Sequence, residues 1–195
     1  MIAIPFVGSI IPYILFIIIP IAGVQAAAYN RRHMFIAIAL GIPAITFGLG
    51  HALPGAFSNE WLASLSAVGF YGYTAAIVFM FVLRQKTITA DTIYGALSVY
   101  LLLGMTWAFG YTGLEAYSPG SFFISAEYDI DGVLNQRDFF YFSFVTLTTL
   151  GYGDILPISY AARMLAIAEA ACGVLYTATL VASVVSRLKQ QSADE

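Results

Sequence analysis

Five long stretches of this sequence contain no charged residue, and they constrain the fold more than any other feature. About 17 to 25 consecutive apolar residues are enough to cross a bilayer as a helix. Four of the stretches reach that length unaided, and the fifth reaches it fully if its helix begins near Ser159. The stretches are Met1–Asn30, His33–Asn59, Trp61–Leu83, Thr92–Leu114 and Ala170–Ser186. The sequence therefore predicts five membrane-spanning helices.

Composition and cysteine content narrow the class of protein further. Charged residues make up 10% of the chain and hydrophobic residues 60%, whereas soluble domains usually carry about 25% charged residues. Cys172 is the single cysteine, which excludes an internal disulfide and a cysteine metal cluster. Apart from Glu169, the spans hold no paired acids, Ser and His pair or metal cluster of the kind that an intramembrane enzyme needs. We therefore expect a membrane protein that is not an enzyme.

The distribution of charge predicts the orientation of the chain. Lys and Arg accumulate in short cytoplasmic connections, and six of the eight basic residues follow the first, third and fifth spans. These six are Arg31, Arg32, Arg84, Lys86, Arg187 and Lys189. The acids that fall on the other side are Glu60, Glu115, Glu127, Asp129, Asp131, Asp138 and Asp154. Both sets place the N-terminus outside and the C-terminus in the cytoplasm.

A shorter apolar segment lies between the fourth and fifth spans, on the predicted outer side. The segment Phe139–Leu150 has 12 residues, which is too few to cross a bilayer as a helix. Asn135 and Asp138 precede it as a helix cap and an acid in the first turn. We therefore predict a re-entrant helix that enters the membrane from outside and turns back.

The loop after this helix has two glycines, Gly151 and Gly153, on either side of Tyr152. Backbone inside a membrane must be hydrogen bonded or must line an aqueous path. Because glycine adopts positive φ without strain, these residues permit successive carbonyls from Thr149 onward to point in one direction. Carbonyls arranged around an axis can replace the hydration shell of a monovalent cation, with the Thr149 hydroxyl as the innermost ring. The loop is therefore interpreted as an ion filter.

The same loop carries a family resemblance. Residues Thr148–Asp154 read TTLGYGD, which resembles the filter signature of tetrameric potassium channels, although Leu150 stands where that family usually has valine. The resemblance extends over Asp91–Lys189. It implies an all-α transmembrane fold with five membrane-spanning helices, a re-entrant pore helix and a filter loop, assembled as a homotetramer around one pore.

The resemblance also divides the chain into two parts. Residues 1–90 are expected to form three N-terminal transmembrane helices of unknown role, and residues 91–195 the potassium channel pore domain. In the pore domain, the outer helix is expected over 91–114, the extracellular turret over 115–136, the pore helix and filter over 137–154 and the inner helix over 159–187. A short cytoplasmic tail follows.

Candidate site residues come from positions that match the family. The filter residues are Thr149, Leu150, Gly151, Tyr152 and Gly153. Potassium ions are expected at the first four of them. Asp154 and Tyr141 are expected to support the filter, with the Tyr141 hydroxyl reaching Asp154. The predicted cavity-lining residues of the inner helix are Val174, Thr177, Val181 and Val185.

Two further residues of the inner helix leave alternatives open. Glu169 is an acid inside a span, where it should face protein or water; we expect filter support through a hydrogen bond to Ser143 or Thr146, or else a charge that faces the cavity. Gly173 matches the family's hinge glycine, which would lower the stiffness of the helix. It could equally permit close packing of helices.

The function that the resemblance implies is passive conduction of K⁺. The span Trp61–Leu83 holds no charge, whereas a voltage sensor needs several arginines on one span, so gating by such a sensor is not expected. The alternatives are a nonselective cation channel, which usually lacks the tyrosine found here at Tyr152, a transporter subunit with four repeats, and a non-conducting sensor on a channel scaffold.

The expected surroundings follow from the apolar spans, the compact chain without a signal peptide and the same resemblance. We expect a multi-pass protein of the plasma membrane, of the prokaryotic inner-membrane type, in contact with lipid and with three further copies of itself. A gating ligand or partner is left open, and nucleic acid is not expected. No cofactor is expected besides the potassium ions in the filter.

Overall fold

The computed structural model describes residues 35–36, 38–42, 59–85, 88–125 and 134–193, with side chains up to residue 187. Within these ranges, three helices are long and apolar enough to cross a membrane, and they correspond to the third, fourth and fifth predicted spans. The first predicted span lies outside the described residues. Of the second, residues 35–36 and 38–42 are described, and they are helical.

Six complete elements follow one another in the described chain. They are α1 (Glu60–Arg84), α2 (Ala90–Tyr117), β1 (Phe122–Ile124), α3 (Gln136–Leu147), β2 (Ile155–Pro157) and α4 (Tyr160–Ala193). The fold is mostly helical, but the prediction of an all-α chain misses the sheet that β1 and β2 form. Strands of three residues are too short to show a recognisable alternation of polar and apolar side chains.

The helices α1 and α2 form an antiparallel pair. The rings of Tyr71 and Phe109 stack at 5.3 Å, and the ring of Trp61 lies 5.9 Å from that of Tyr117, so the start of α1 meets the end of α2. Around the stacked rings, apolar side chains of both helices are buried in one core cluster. This pairing fixes the third predicted span directly against the outer helix.

The helix α4 also runs antiparallel to α2. The Tyr176 hydroxyl donates to the carbonyl oxygen of Ala96 at 2.5 Å, and nearer the other end the Tyr111 hydroxyl donates to Glu169. The ring of Tyr176 also lies 5.7 Å from the ring of Phe79 on α1. The inner helix is therefore in contact with both α1 and α2 of its own chain.

The short helix α3 is held at its first half by an aromatic core. The predicted cap is confirmed: the Asn135 side chain accepts from the backbone of α3, and Asp138 accepts from the Asn135 N–H at 2.8 Å. The ring of Phe122 on β1 meets the rings of Phe139 and Phe142 edge to face, at 5.1 and 5.6 Å. Such edge-to-face pairs contribute beyond the area that they bury.

The sheet fixes the chain on the far side of the filter loop. The strands β1 and β2 are antiparallel, with Phe122 opposite Pro157 and Ile124 opposite Ile155. The Ser121 carbonyl oxygen accepts from the backbone N–H groups of the two residues after β2, at 2.8 and 3.1 Å. The loop 148–154 is thus anchored at one end by α3 and at the other by this sheet.

Candidate functional site

Every second residue of the loop after α3 has a positive φ. Thr149, Gly151 and Gly153 have φ of 59°, 58° and 80°. Both glycines therefore adopt the positive φ that the sequence predicts. Thr149 is the only residue other than glycine that has a positive φ in the described chain. A β-branched residue is a true outlier in that conformation. Strained backbone of this kind is concentrated at functional sites.

The end of α3 passes directly into this loop. The carbonyl oxygen of Val145 accepts from the N–H groups of both Leu150 and Gly151, at 2.9 and 3.3 Å, and the N–H of Thr149 bonds to the Thr146 carbonyl at 2.9 Å. These bonds fold the first part of the loop back onto the last turn of the helix. The carbonyl end of a helix carries a partial negative charge, so a cation is favoured near Thr149.

Tyr141 braces the outer half of the loop. Its hydroxyl donates to the Asp154 carboxylate at 2.6 Å, and its ring stacks on that of Tyr152 with centroids 6.4 Å apart and planes within 2° of parallel. The other carboxylate oxygen of Asp154 accepts from the Ile155 N–H at 3.1 Å. The hydrogen bond that the sequence predicts between Tyr141 and Asp154 is present, whereas the stacking on Tyr152 is an additional contact.

Glu169 lies behind α3, on the face of α4 that turns toward its own chain. Its exposed fraction is 0%, so a charge that faces the cavity does not describe it. One carboxylate oxygen contacts the Ser143 hydroxyl, which was one of the two expected partners. The other accepts from the Tyr111 hydroxyl of α2, a partner that the sequence did not indicate. Whether this arrangement supports the filter stays a prediction.

Gly173 lies where α4 passes closest to the end of α3. A Cβ at this position would lie 2.3 Å from the carbonyl oxygen of Leu147, far inside van der Waals contact. The geometry therefore gives Gly173 the packing role that the sequence left open. Its role as a hinge remains a prediction.

The four predicted cavity-lining residues share one face of α4. They are spaced by three and four residues, which keeps them within one side of a helix, and all of them are exposed in the single chain. The side chains that contact α1, α2 and α3 belong to the opposite face. The exposed face is therefore free to meet other subunits or a cavity, and the assignment of the four residues to the cavity stays a prediction.

Arg187 links the last described part of α4 to the end of α1. Its guanidinium donates to the carbonyl oxygens of Val82 and Leu83, at 3.3 and 3.0 Å. Terminal carbonyls of a helix lack partners within the helix and carry its negative dipole, so a cation stabilises them. Sequence reasoning treated Arg187 only as a marker of the cytoplasmic side and missed this contact.

Glu115 is a second residue whose position is more specific than its sequence suggested. Its carboxylate oxygens accept from the backbone N–H groups of Gly120 and Phe122, at 2.7 and 3.1 Å. The acid therefore shapes the turn between α2 and β1. The acids Glu127, Asp129 and Asp131 lie outside the described residues. Within the described residues, no group of three His, Cys, Asp or Glu is placed to hold a metal ion.

Comparisons with known proteins agree with the geometry. A family model with the description "Ion channel" matches residues 68–190. The match begins inside α1 and includes α2, α3, the filter loop and most of α4.

Two curated relatives match parts of the same region. The Voltage-gated potassium channel Kch of Escherichia coli (strain K12) is 29% identical over 125 residues, which are 63% of this chain and 27% of that protein. The Inward rectifier potassium channel Kirbac3.1 of Paramagnetospirillum magnetotacticum is 30% identical over 99 residues, which are 49% of this chain and 29% of that protein. The matched segments thus span less than a third of either relative. No solved structure shows a significant match.

Proposed function

This chain belongs to the ion channel family, whose model matches more than half of it, and from that membership we propose that it conducts K⁺ passively through a selective filter shared by four identical subunits. The observation that carries the proposal is the positive φ at Thr149, Gly151 and Gly153 within the sequence TTLGYGD. Alternation of positive and negative φ lets successive carbonyls share one side of the chain, as coordination of a dehydrated cation requires. Both relatives are named as potassium channels, which also supports K⁺.

A single chain supplies carbonyls on one side of an ion, so the proposal requires several copies. Tyr152 is 66% exposed and Leu150 is 56% exposed in the isolated chain, and both flank the filter backbone. Large apolar side chains at such positions need protein neighbours, since the filter must be shielded from lipid. Four copies around a four-fold axis supply these neighbours and close the ring of ligands. The exposed face of α4 would then line the cavity below the filter.

The proposed gating differs from that of a voltage sensor. The helix α1 carries charge only at its ends, on Glu60 and Arg84, and a membrane potential acts strongly only on charges that cross its field. We therefore propose that opening does not depend on an arginine-rich sensor within the described chain. The proposed location is a prokaryotic inner membrane, with Arg84 and Arg187 on the cytoplasmic side.

The proposal is tested by the reversal potential of the purified protein in a planar bilayer under opposed potassium and sodium gradients. A reversal near the potassium equilibrium potential supports the proposal, whereas one midway between the two ions supports a nonselective cation channel. A tetramer that passes no current under any tested stimulus would contradict conduction and support a sensor.

The brace at Tyr141 leads to a first specific prediction. Tyr141→Phe removes the hydroxyl that Asp154 accepts but keeps the ring that stacks on Tyr152. Hydrogen bonds to charged groups contribute about 1.5 to 3 kcal/mol, and we expect about 1 kcal/mol here because the pair is exposed. The conducting filter should therefore be less stable, so that current declines several-fold faster during prolonged opening while the reversal potential is unchanged.

The control for this variant is Tyr160→Phe. Tyr160 begins α4, is 79% exposed and lies outside the filter loop. Equal rates of decline in both variants and in the natural protein would contradict the bracing role of Tyr141.

A second prediction concerns Arg187. Arg187→Gln removes the cation from the last carbonyls of α1, at the end of the inner helix where a gate would close. We expect a change of open probability of several-fold with an unchanged reversal potential, because a helix-end contact of this kind is worth about 0.3 to 1 kcal/mol in each subunit. Single-channel recording measures both quantities. The matched control is Arg84→Gln, because Arg84 is an exposed arginine in the last turn of α1. An unaltered open probability in Arg187→Gln would contradict a role of this contact with α1 in gating.

A further inference from the structure

Glu169 is an acid that the conduction path does not use, and its surroundings come from one chain alone. Its exposed fraction is 0% even without lipid or further subunits, so its burial does not depend on assembly. It lies on α4 where this helix meets α2 and α3. The site therefore exists in every subunit, independently of how the pore assembles.

Three oxygen contacts connect these helices at Glu169. The Oε2 atom meets the Tyr111 hydroxyl of α2, and the Oε1 atom meets the Ser143 hydroxyl of α3 at 2.5 Å. The same Ser143 hydroxyl lies 2.7 Å from the carbonyl oxygen of Gly104 on α2. All three contacts are hydrogen bonds, and each pair of oxygens needs a proton between its members.

Counting the protons shows that the two hydroxyls are too few. Ser143 and Tyr111 can donate one proton each, and the Gly104 carbonyl can donate none. Tyr111 donates to Oε2, which leaves the single proton of Ser143 for two contacts. If Ser143 donates to Gly104, the contact with Oε1 is a hydrogen bond only when Glu169 itself carries a proton on that oxygen.

The charges around the site agree with this count. From α2, Tyr111 and Tyr100 face Glu169, and from α4 itself Cys172 does. From α3 the facing polar group is the Ser143 hydroxyl, which does not titrate near neutral pH. None of these described groups is a cation, and an anion buried without one is strongly unfavourable. The neutral acid requires no counter-charge.

We propose that Glu169 is a proton-binding site and that the protonated acid is the clamp that fastens the pore helix α3 to α2 and α4. When the proton leaves, the O–H bond at Oε1 breaks and water accepts the proton. The Ser143 hydroxyl then donates its hydrogen bond to the carboxylate, and the Gly104 carbonyl loses its bond to α3. Loss of this bond frees the pore helix from the outer helix, and the filter that the pore helix carries becomes less stable. This last step rests on the proposed channel function.

The variant Glu169→Gln separates the two protonation states. Its amide N–H₂ can donate to Ser143 and its carbonyl oxygen can accept from Tyr111, so at any pH it makes both contacts of the neutral acid and leaves the Ser143 proton for the Gly104 carbonyl. It cannot reproduce the carboxylate. If Glu169 is protonated at neutral pH, the current through this variant should match that through the natural protein at that pH.

The first experiment is independent of conduction. Infrared spectra of the full chain in lipid should contain the C=O stretching band of a neutral carboxylic acid at neutral pH, absent from Glu169→Gln and shifted in Tyr111→Phe. The band should vanish when the pH is raised. Its absence at neutral pH would overturn the proposal, whether or not the protein conducts. If Glu169→Gln fails to assemble, that also contradicts the proposal, and the shift in Tyr111→Phe remains measurable.

The second experiment uses the current. Raising the pH through the range in which the band vanishes should reduce the potassium current of the natural protein by at least about fivefold, the factor expected for one hydrogen bond lost in a single subunit. Glu169→Gln should keep its current over that range. Equal pH dependence in both proteins would overturn the coupling to the filter while leaving the protonation itself supported by the infrared band.

Discussion

Gly151→Ala is expected to abolish potassium-selective current. Gly151 has φ of 58°, and a Cβ there would meet no atom within 4 Å in the single chain, so the effect comes from the backbone. An L-residue other than glycine costs about 1 to 2 kcal/mol in this left-handed conformation, which amounts to about 4 to 8 kcal/mol over the four subunits of the proposed tetramer. Since the alternative is a rotated peptide that removes carbonyls from the pore, the reversal potential in opposed potassium and sodium gradients should no longer follow potassium.

The matched control for this experiment is Gly120→Ala. Gly120 has φ of 83° and also lies in open space, but it belongs to the turn between α2 and β1. Alanine at this position would carry the same kind of backbone strain, outside the filter. We expect Gly120→Ala to lower thermal stability while it keeps potassium selectivity. Loss of selectivity in both variants would mean that strain anywhere in the outer half has the same effect, and the filter role of Gly151 would lose its support.

Gly173→Ala is expected to reduce the current by at least about tenfold. The new methyl group would lie 2.3 Å from the Leu147 carbonyl oxygen, which is backbone and cannot rotate away. Either α4 or the end of α3 must move by roughly 1 Å, and overpacking of this kind costs about 1 to 3 kcal/mol in each subunit. Because Leu147 immediately precedes the filter loop, we expect lower thermal stability of the protein together with the loss of current.

Gly110→Ala provides the comparison in a helix with space around it. A Cβ at Gly110 of α2 would meet nothing within 4 Å in the single chain, and alanine favours a helix over glycine by about 1 kcal/mol. Stability and current should therefore be kept or slightly increased. If Gly173→Ala behaved like Gly110→Ala, α4 could not be packed against Leu147 as closely as described.

Local features of the pore region were predictable from the sequence because they depend on neighbours in the chain. The cap at Asn135 and Asp138 involves residues three positions apart, and the two filter glycines mark positive φ by their own chemistry. Thr149 was predicted as an ion ligand, but its positive φ was not, since threonine disfavours that conformation and tertiary structure must impose it. The contact of Glu169 with Ser143 was one of two expected possibilities, because an acid in a span needs a polar neighbour.

Contacts between distant parts of the chain were not predictable. Tyr111 and Glu169 are 58 positions apart, and nothing in the sequence of α2 distinguishes Tyr111 from its other tyrosines. The pairing of β1 with β2 depends on how α3 and the filter loop bring Phe122 to Pro157. The role of the three N-terminal helices stays open in the sequence, and the first of them lies outside the described residues.

The contact between Arg187 and the end of α1 has a consequence for anything that binds α1. Energetic coupling between two parts of a protein is reciprocal: if the position of α4 depends on the carbonyls of Val82 and Leu83, the position of α1 depends equally on α4. A lipid or small molecule that prefers one arrangement of α1 would therefore shift the equilibrium of the pore, and an ion or blocker that holds the pore in one state would change the affinity of α1 for that molecule.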